Sequence, residues 1–190
     1  MKKLQWDKVR VLVANYCNYK CPFCHNEGQG KTTTKERMSL QSFRRLVDIL
    51  SNQPISEFNI SGGEPFLNED IVDMILYIND NLDCDISCAT NLSLIKPEHI
   101  SVLSGTRIKF NIQFPFATAE AFKQSTVTGN LDRILTNIDL LCAENIQVGL
   151  NTVVQSDDFS SISTLIDFAL ERGLPLKLLP QIGLSGSNQF

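Results

Sequence analysis

Three cysteines stand within eight residues, in Cys17-Asn18-Tyr19-Lys20-Cys21-Pro22-Phe23-Cys24, and His25 follows directly. Thiolates at this spacing can converge on one inorganic centre. Three ligands on a four-iron cluster leave one iron without a protein ligand, where a substrate or cofactor can coordinate. An electron-carrying cluster normally takes four cysteines. Zinc is the alternative, because Cys17, Cys21, Cys24 and His25 form a Cys₃His set. Against it, the adjacent Cys24 and His25 reach one ion awkwardly, and zinc ribbons usually use two separated pairs.

A second group, Ser61-Gly62-Gly63-Glu64-Pro65, follows an apolar run. Paired glycines let backbone approach a ligand closely. Glu64 and the carbonyls around it can accept hydrogen bonds from a cationic amino group. A tight turn between strand and helix explains the same residues.

The chain that positions these groups has 190 residues, enough for one domain over residues 1–190. It is 43% apolar and 20% charged, with a net charge of −4. That charge gives no electrostatic case for nucleic acid or an anionic membrane. No membrane span or signal peptide is evident, so a cytoplasmic protein is expected. Cytoplasmic thiols are usually reduced, which turns tight cysteine spacing toward metal rather than disulfides.

Strand-like and helix-like segments alternate. Strands are expected over residues 9–13, 55–61, 84–90, 107–114, 146–154 and 174–179. Ser39 caps a helix with Leu40, Phe43, Leu46, Val47 and Leu50 on one face. Asn68 caps one that turns Ile71, Met74, Ile75 and Ile78 inward. Pro97 opens a short third helix, whose His99 reads as solvated. Asn130 starts a fourth, with Leu131, Ile134, Leu135, Ile138, Leu141 and Cys142 inward, and residues 157–172 form a fifth that stops at Gly173. This alternation predicts an α/β fold with parallel strands, either a partial (β/α) barrel or an open sheet. The loop of about 25 residues over 14–38 breaks the rhythm and holds all three clustered cysteines. It lies beyond the C-terminal end of a strand, the edge where such folds bind ligands.

Strand parity separates two faces. Arg107, Lys109, Asn111 and Gln113 share one face of the fourth strand, and Ile108, Phe110, Ile112 and Phe114 the other. The same split groups Glu57, Asn59 and Ser61; Asp85, Ser87 and Asn91; Gln147, Gly149 and Asn151; and Lys177 with Gln181. The apolar face should meet helices, which leaves a polar lumen. Glu57 and Asp85 are the counter-charges available to inward Lys109 and Lys177. By the same parity Cys84 and Cys88 face the helices, and with Cys142 they read as packing residues.

The sequence resembles the radical S-adenosylmethionine (SAM) superfamily. Cys17-x₃-Cys21-x-Phe23-Cys24 matches its cluster motif, and Gly62-Gly63-Glu64-Pro65 its second motif. The resemblance implies a partial (β/α)₆ barrel of the radical SAM type. It implies that Cys17, Cys21 and Cys24 hold a [4Fe–4S] cluster and that SAM binds its open iron. Reductive cleavage of SAM then yields a 5′-deoxyadenosyl radical that abstracts hydrogen from a small-molecule or peptide substrate. By the same resemblance Gly62, Gly63 and Glu64 receive the SAM amino group, Phe23 lies near adenine, and Asn91 and Asn151 contact SAM. The family's Ser-x-Asp-like segment, which contacts SAM, corresponds to Asn111-Ile112-Gln113, so Asn111 and Gln113 are implied cofactor contacts, without the acid. A reducing partner such as flavodoxin or ferredoxin is implied.

Thr128-Gly129-Asn130-Leu131 and Leu150-Asn151-Thr152-Val153-Val154 draw the chain toward the branch containing GTP 3′,8-cyclase and peptide-modifying enzymes. No cysteine follows Cys142 and no glycine tail is present, so a truncated core or a minimal enzyme is expected. Two other readings remain in view: an activating enzyme that places a glycyl radical on a partner protein, and a non-catalytic zinc or iron–sulfur module.

Overall fold

The computed structural model describes residues 7–24, 34–154 and 159–181. His25, Asp157 and the tail from Ser185 lie outside the described residues. The strands are β1 (Lys8–Leu12), β2 (Glu57–Ser61), β3 (Asp85–Thr90), β4 (Ile108–Gln113), β5 (Gln147–Val154) and β6 (Leu176–Pro180). The helices are α1 (Leu40–Leu50), α2 (Ile71–Asn81), α3 (Pro97–Leu103), α4 (Ala119–Thr126), α5 (Leu131–Ala143) and α6 (Phe159–Glu171), with a 3₁₀ turn over Pro65–Leu67. The six strands form one parallel sheet in sequence order. β1 and β6 are its two edges, so the barrel is partial and open.

Parity sorts the side chains as expected. Phe58, Ile60, Ile86, Cys88, Phe110 and Ile112 are buried with the inner stripes of the helices in one core. Phe43 and Val47 of α1, Met74, Ile75 and Ile78 of α2, and Ile134 and Ile138 of α5 supply those stripes. Truncating one of the fully buried phenylalanines costs about 3–5 kcal/mol. On the opposite face, Glu57 pairs with Asp85, Asn59 with Ser87, Ser87 with Lys109, and Gln113 with Asn151 along the registers. That face is the polar lumen.

Several expectations need correction. The segment between β4 and α5 holds an extra helix, α4, which buries only Phe122, Ser125 and Thr126 and so shows no apolar stripe. Asn68 lies two residues ahead of the α2 cap position, Asp70. Its amide instead donates to the carbonyls of Val13 and Met38, at 3.1 and 2.9 Å. Arg107 precedes β4 and leaves the lumen face. Its guanidinium donates to the carbonyls of Asn79 and Leu82, both at 2.6 Å, around the C-terminal end of α2, where carbonyls lack helical partners and the dipole favours a cation. Cys142 is exposed, because Ile138 and Leu141 take the inner stripe and Cys142 falls beside it, one residue before α5 ends. His99 is half-buried, stacked on Phe66 at 5.8 Å, and its buried Nδ1 has no hydrogen-bond partner among the described residues. No helix among the described residues is long and apolar enough to cross a membrane.

Candidate functional site

The two motif loops meet at the C-terminal end of the sheet. The β1–β2 ladder continues past both strands. Val13 N–H donates to Ser61 O at 2.9 Å, Gly63 N–H to Ala14 O at 2.8 Å, and Glu64 N–H to Tyr16 O at 3.0 Å. The glycine pair makes this approach possible. A Cβ at Gly62 would lie 2.4 Å from Ala14 O, and one at Gly63 would lie 2.1 Å from Tyr16 O. Gly62 also has a φ of +145°, which side-chain-bearing residues rarely adopt. The close approach read from the sequence is therefore made first by the cysteine loop itself.

Glu64 is fully buried and ties three turns together. It accepts hydrogen bonds from Phe66 N–H at 3.0 Å, Thr90 Oγ1 at 2.6 Å and Asn91 N–H at 2.8 Å. Burial pushes its pKa up, while these three donors pull the other way. A carboxylate offers about four acceptor positions, so one is left over.

Beyond β3 the chain turns sharply. Leu92 is fully buried at φ +60°, an uncommon conformation for a bulky side chain. Thr90 Oγ1 accepts from Leu92 N–H at 2.9 Å, and Asn137 Nδ2 donates to Leu92 O at 2.9 Å. The turn aims Asn91 at the cysteine loop. Asn91 Nδ2 donates to Asn18 Oδ1 at 2.9 Å and lies 3.6 Å from Cys17 Sγ. Asn18 Nδ2 donates to Ser93 Oγ at 2.8 Å, and Thr128 Oγ1 donates to Asn18 O at 2.8 Å. The loop is thus held from β2, from β3 and from the α4–α5 junction. Sequence reasoning missed Asn18, Thr90, Ser93 and Asn137 in these roles. A run of Thr, Asn and Ser directly after a strand was the available signal.

Cys21 is buried, and Cys17 and Cys24 are half-buried. Burial pushes the Cys21 thiol up to about 12, and the neighbouring Cys17 and Cys24 add to the rise. The Cys17 thiol is pushed up to about 11 by burial, against a hydrogen bond from Tyr19 N–H, and Glu64 adds to the rise. Tyr19 N–H lies 3.3 Å from Cys17 Sγ. Three thiols within electrostatic range, with N–H donors on one sulfur, suit an iron–sulfur centre, whose positive iron displaces the protons. Among the described residues no three His, Cys, Asp or Glu side chains gather around a single metal-ion position. Cys84 and Cys88 are buried on the helix side of the sheet.

Phe23 is 7% exposed and packs in the main core. Asn111, Gln113 and Asn151 lie on the lumen face of β4 and β5, and no hydrogen bond joins them to the cysteine loop among the described residues. Gln113 Nε2 is buried without a hydrogen-bond partner among the described residues. Lower in the lumen a polar chain crosses the strands. Asn59 Nδ2 donates to Ser87 Oγ at 2.7 Å, Ser87 Oγ donates to Glu57 at 3.0 Å, and Lys8 pairs with Glu57 at 3.2 Å. Glu57 thus pairs with Lys8 rather than with Lys109.

A family model described as the Radical SAM superfamily matches residues 11–169. A GTP 3′,8-cyclase of Clostridium perfringens is 27% identical over 187 residues, covering 97% of this chain and 58% of that protein. A probable GTP 3′,8-cyclase of Thermococcus kodakarensis is 29% identical over 172 residues, covering 90% and 55%. Among solved structures, Streptococcus suis SuiB bound to S-adenosylmethionine superposes with a TM-score of 0.84 at 18% identity, over 95% of this chain and 42% of that one. Native anSMEcpe with bound AdoMet gives 0.76 at 15% identity, over 92% and 51%. These structural likenesses concern the fold. The chain spans a little over half the length of the curated relatives it matches.

Proposed function

The chain belongs to the radical SAM superfamily, and we propose on that premise that it cleaves SAM reductively at a [4Fe–4S] cluster held by Cys17, Cys21 and Cys24. The observation that carries this reading is the zipper between residues 13–16 and 61–64, which sets a three-cysteine loop against the Gly62-Gly63-Glu64 turn. When bound, the cluster and SAM supply one-electron cleavage of a carbon–sulfur bond and a 5′-deoxyadenosyl radical. The protein's own groups do the rest. The half-exposed Gly62 and Gly63 offer backbone carbonyls to the SAM amino group, and Glu64 has one acceptor position beyond the three it uses. Asn91 orients Cys17 and borders the same space. Asn111, Gln113 and Asn151 present amides from the lumen, and Phe23 backs the cysteine loop toward the adenine side.

The substrate is a small molecule or a peptide. The relatives include proteins named GTP 3′,8-cyclase, and one superposed structure is SuiB bound to precursor peptide SuiA. The reductant is a flavodoxin- or ferredoxin-type partner. Full-length protein reconstituted anaerobically with iron and sulfide, then given SAM and dithionite, should release 5′-deoxyadenosine. Stoichiometric zinc without cleavage would sink the proposal.

A further inference from the structure

The lumen of this acidic chain is cationic. Among the described residues, the lumen face carries Lys8, Lys109 and Lys177 against Glu57 and Asp85, and Arg10 is engaged, donating to Ser61 Oγ at 2.7 Å. Lys8 and Glu57 neutralise each other at 3.2 Å. Lys177 is exposed on the edge strand β6. Lys109 differs from both. It is half-buried in the middle of the sheet, between Ser87 on β3 and Gln147 on β5. It has no ion pair and no hydrogen bond among the described residues.

Its direction is informative. Lys109 is level with Gln147 in the register, and Gly149 is level with Asn111. Yet Lys109 Cε lies 3.5 Å from where a Cβ of Gly149 would stand, and Asn111 Oδ1 lies at the same distance from that point. The lysine therefore climbs two residues along the lumen, toward the end that holds the cysteines. The bare Gly149 backbone gives it room; a side chain longer than alanine at 149 would occupy that space. A half-buried ammonium costs stability unless an opposite charge meets it. Among the described residues no carboxylate does so.

We propose that Lys109 binds an oxyanion of the substrate, a carboxylate or a phosphate, beside Asn111 above Gly149. This rests on the reading of the lumen as the substrate chamber of a radical SAM enzyme, and it adds the substrate's charge class. Removing one charge-assisted contact should weaken binding about tenfold or more.

The test uses the full chain reconstituted with iron and sulfide, at fixed ionic strength, with inorganic pyrophosphate and succinate as separate probes. Calorimetry reads binding, and mass spectrometry reads protection of the Lys109 amine from acetylation. Saturable binding of either probe, with Lys109 protected and with affinity lost in Lys109→Met but kept in Lys109→Arg, is the expected result. Pyrophosphate alone would identify a phosphate substrate, and succinate alone a carboxylate. Binding of neither probe, or binding that leaves Lys109 unprotected, would overturn the proposal. The protection readout needs only the wild-type protein, so a misfolded variant cannot hide the answer. Release of 5′-deoxyadenosine from SAM by the wild type is scored separately. If it occurs without oxyanion binding, this inference fails and the enzyme reading stands. If it does not occur, the enzyme reading fails whatever the probes show.

Discussion

Single residues divide into those whose chemistry is written in their type and those whose role depends on distant neighbours. Cys17, Cys21 and Cys24 belong to the first kind. Replacing any one with alanine should abolish assembly of the cluster, read as lost iron, sulfide and visible absorption. Cys88→Ala should keep all three signals and turnover, because Cys88 is fully buried on the helix side of β3. Loss of turnover with fold and cluster intact would make Cys88 a participant. Glu64 belongs to the second kind. Its residue type suggested an acceptor, but its three donors come from Phe66, Thr90 and Asn91, and two of these lie on another strand's turn. His99 was misread for the same reason: its partner Phe66 is distant in sequence. Burial, helped by Lys96, lowers its pKa below 6.5. The unfolded chain therefore binds the proton more readily, so stability falls as pH drops through the ordinary histidine value and the penalty is complete below the folded one. His99→Phe keeps the stacking and removes the proton. It should flatten the decline in melting temperature between about pH 7 and pH 5; an unchanged slope would count against a strained His99.

At the scale of elements, the strands were legible to within about two residues because parity is a strict period. The polar and apolar faces of β4 were legible for the same reason. Arg107 escaped because one residue decides whether a side chain enters the lumen or turns back to a helix end. Helix α4 escaped because Phe122 is its lone large buried side chain. What no local pattern could show was that the Gly62-Gly63 turn receives the cysteine loop, since residues 14–17 and 62–63 are far apart in sequence. Gly63→Ala tests that contact. Its Cβ would meet Tyr16 O at 2.1 Å and Cys17 N at 2.9 Å, so the loop must move. The variant should retain helical circular dichroism, melt lower by an amount worth about 1–3 kcal/mol, and bind iron poorly. Normal iron binding would mean that the zipper does not hold the cluster loop in place.

At the scale of the whole molecule, the sheet separates two tasks. One face meets the helices and stabilises the fold. The other face leaves a polar lumen, and the C-terminal edge above it gathers three thiols, a glycine turn and a buried carboxylate. This layout follows from parallel topology, which brings every loop after a strand to the same end. In the proposed function three cysteines leave one iron open, and SAM occupies it. The most direct measurement is electron–nuclear double resonance on the dithionite-reduced protein, with SAM carrying ¹⁵N at its amino group. A ¹⁵N coupling on the cluster signal should appear with labelled SAM and be absent without it. A cluster signal unchanged by SAM, with no nitrogen coupling, would contradict it.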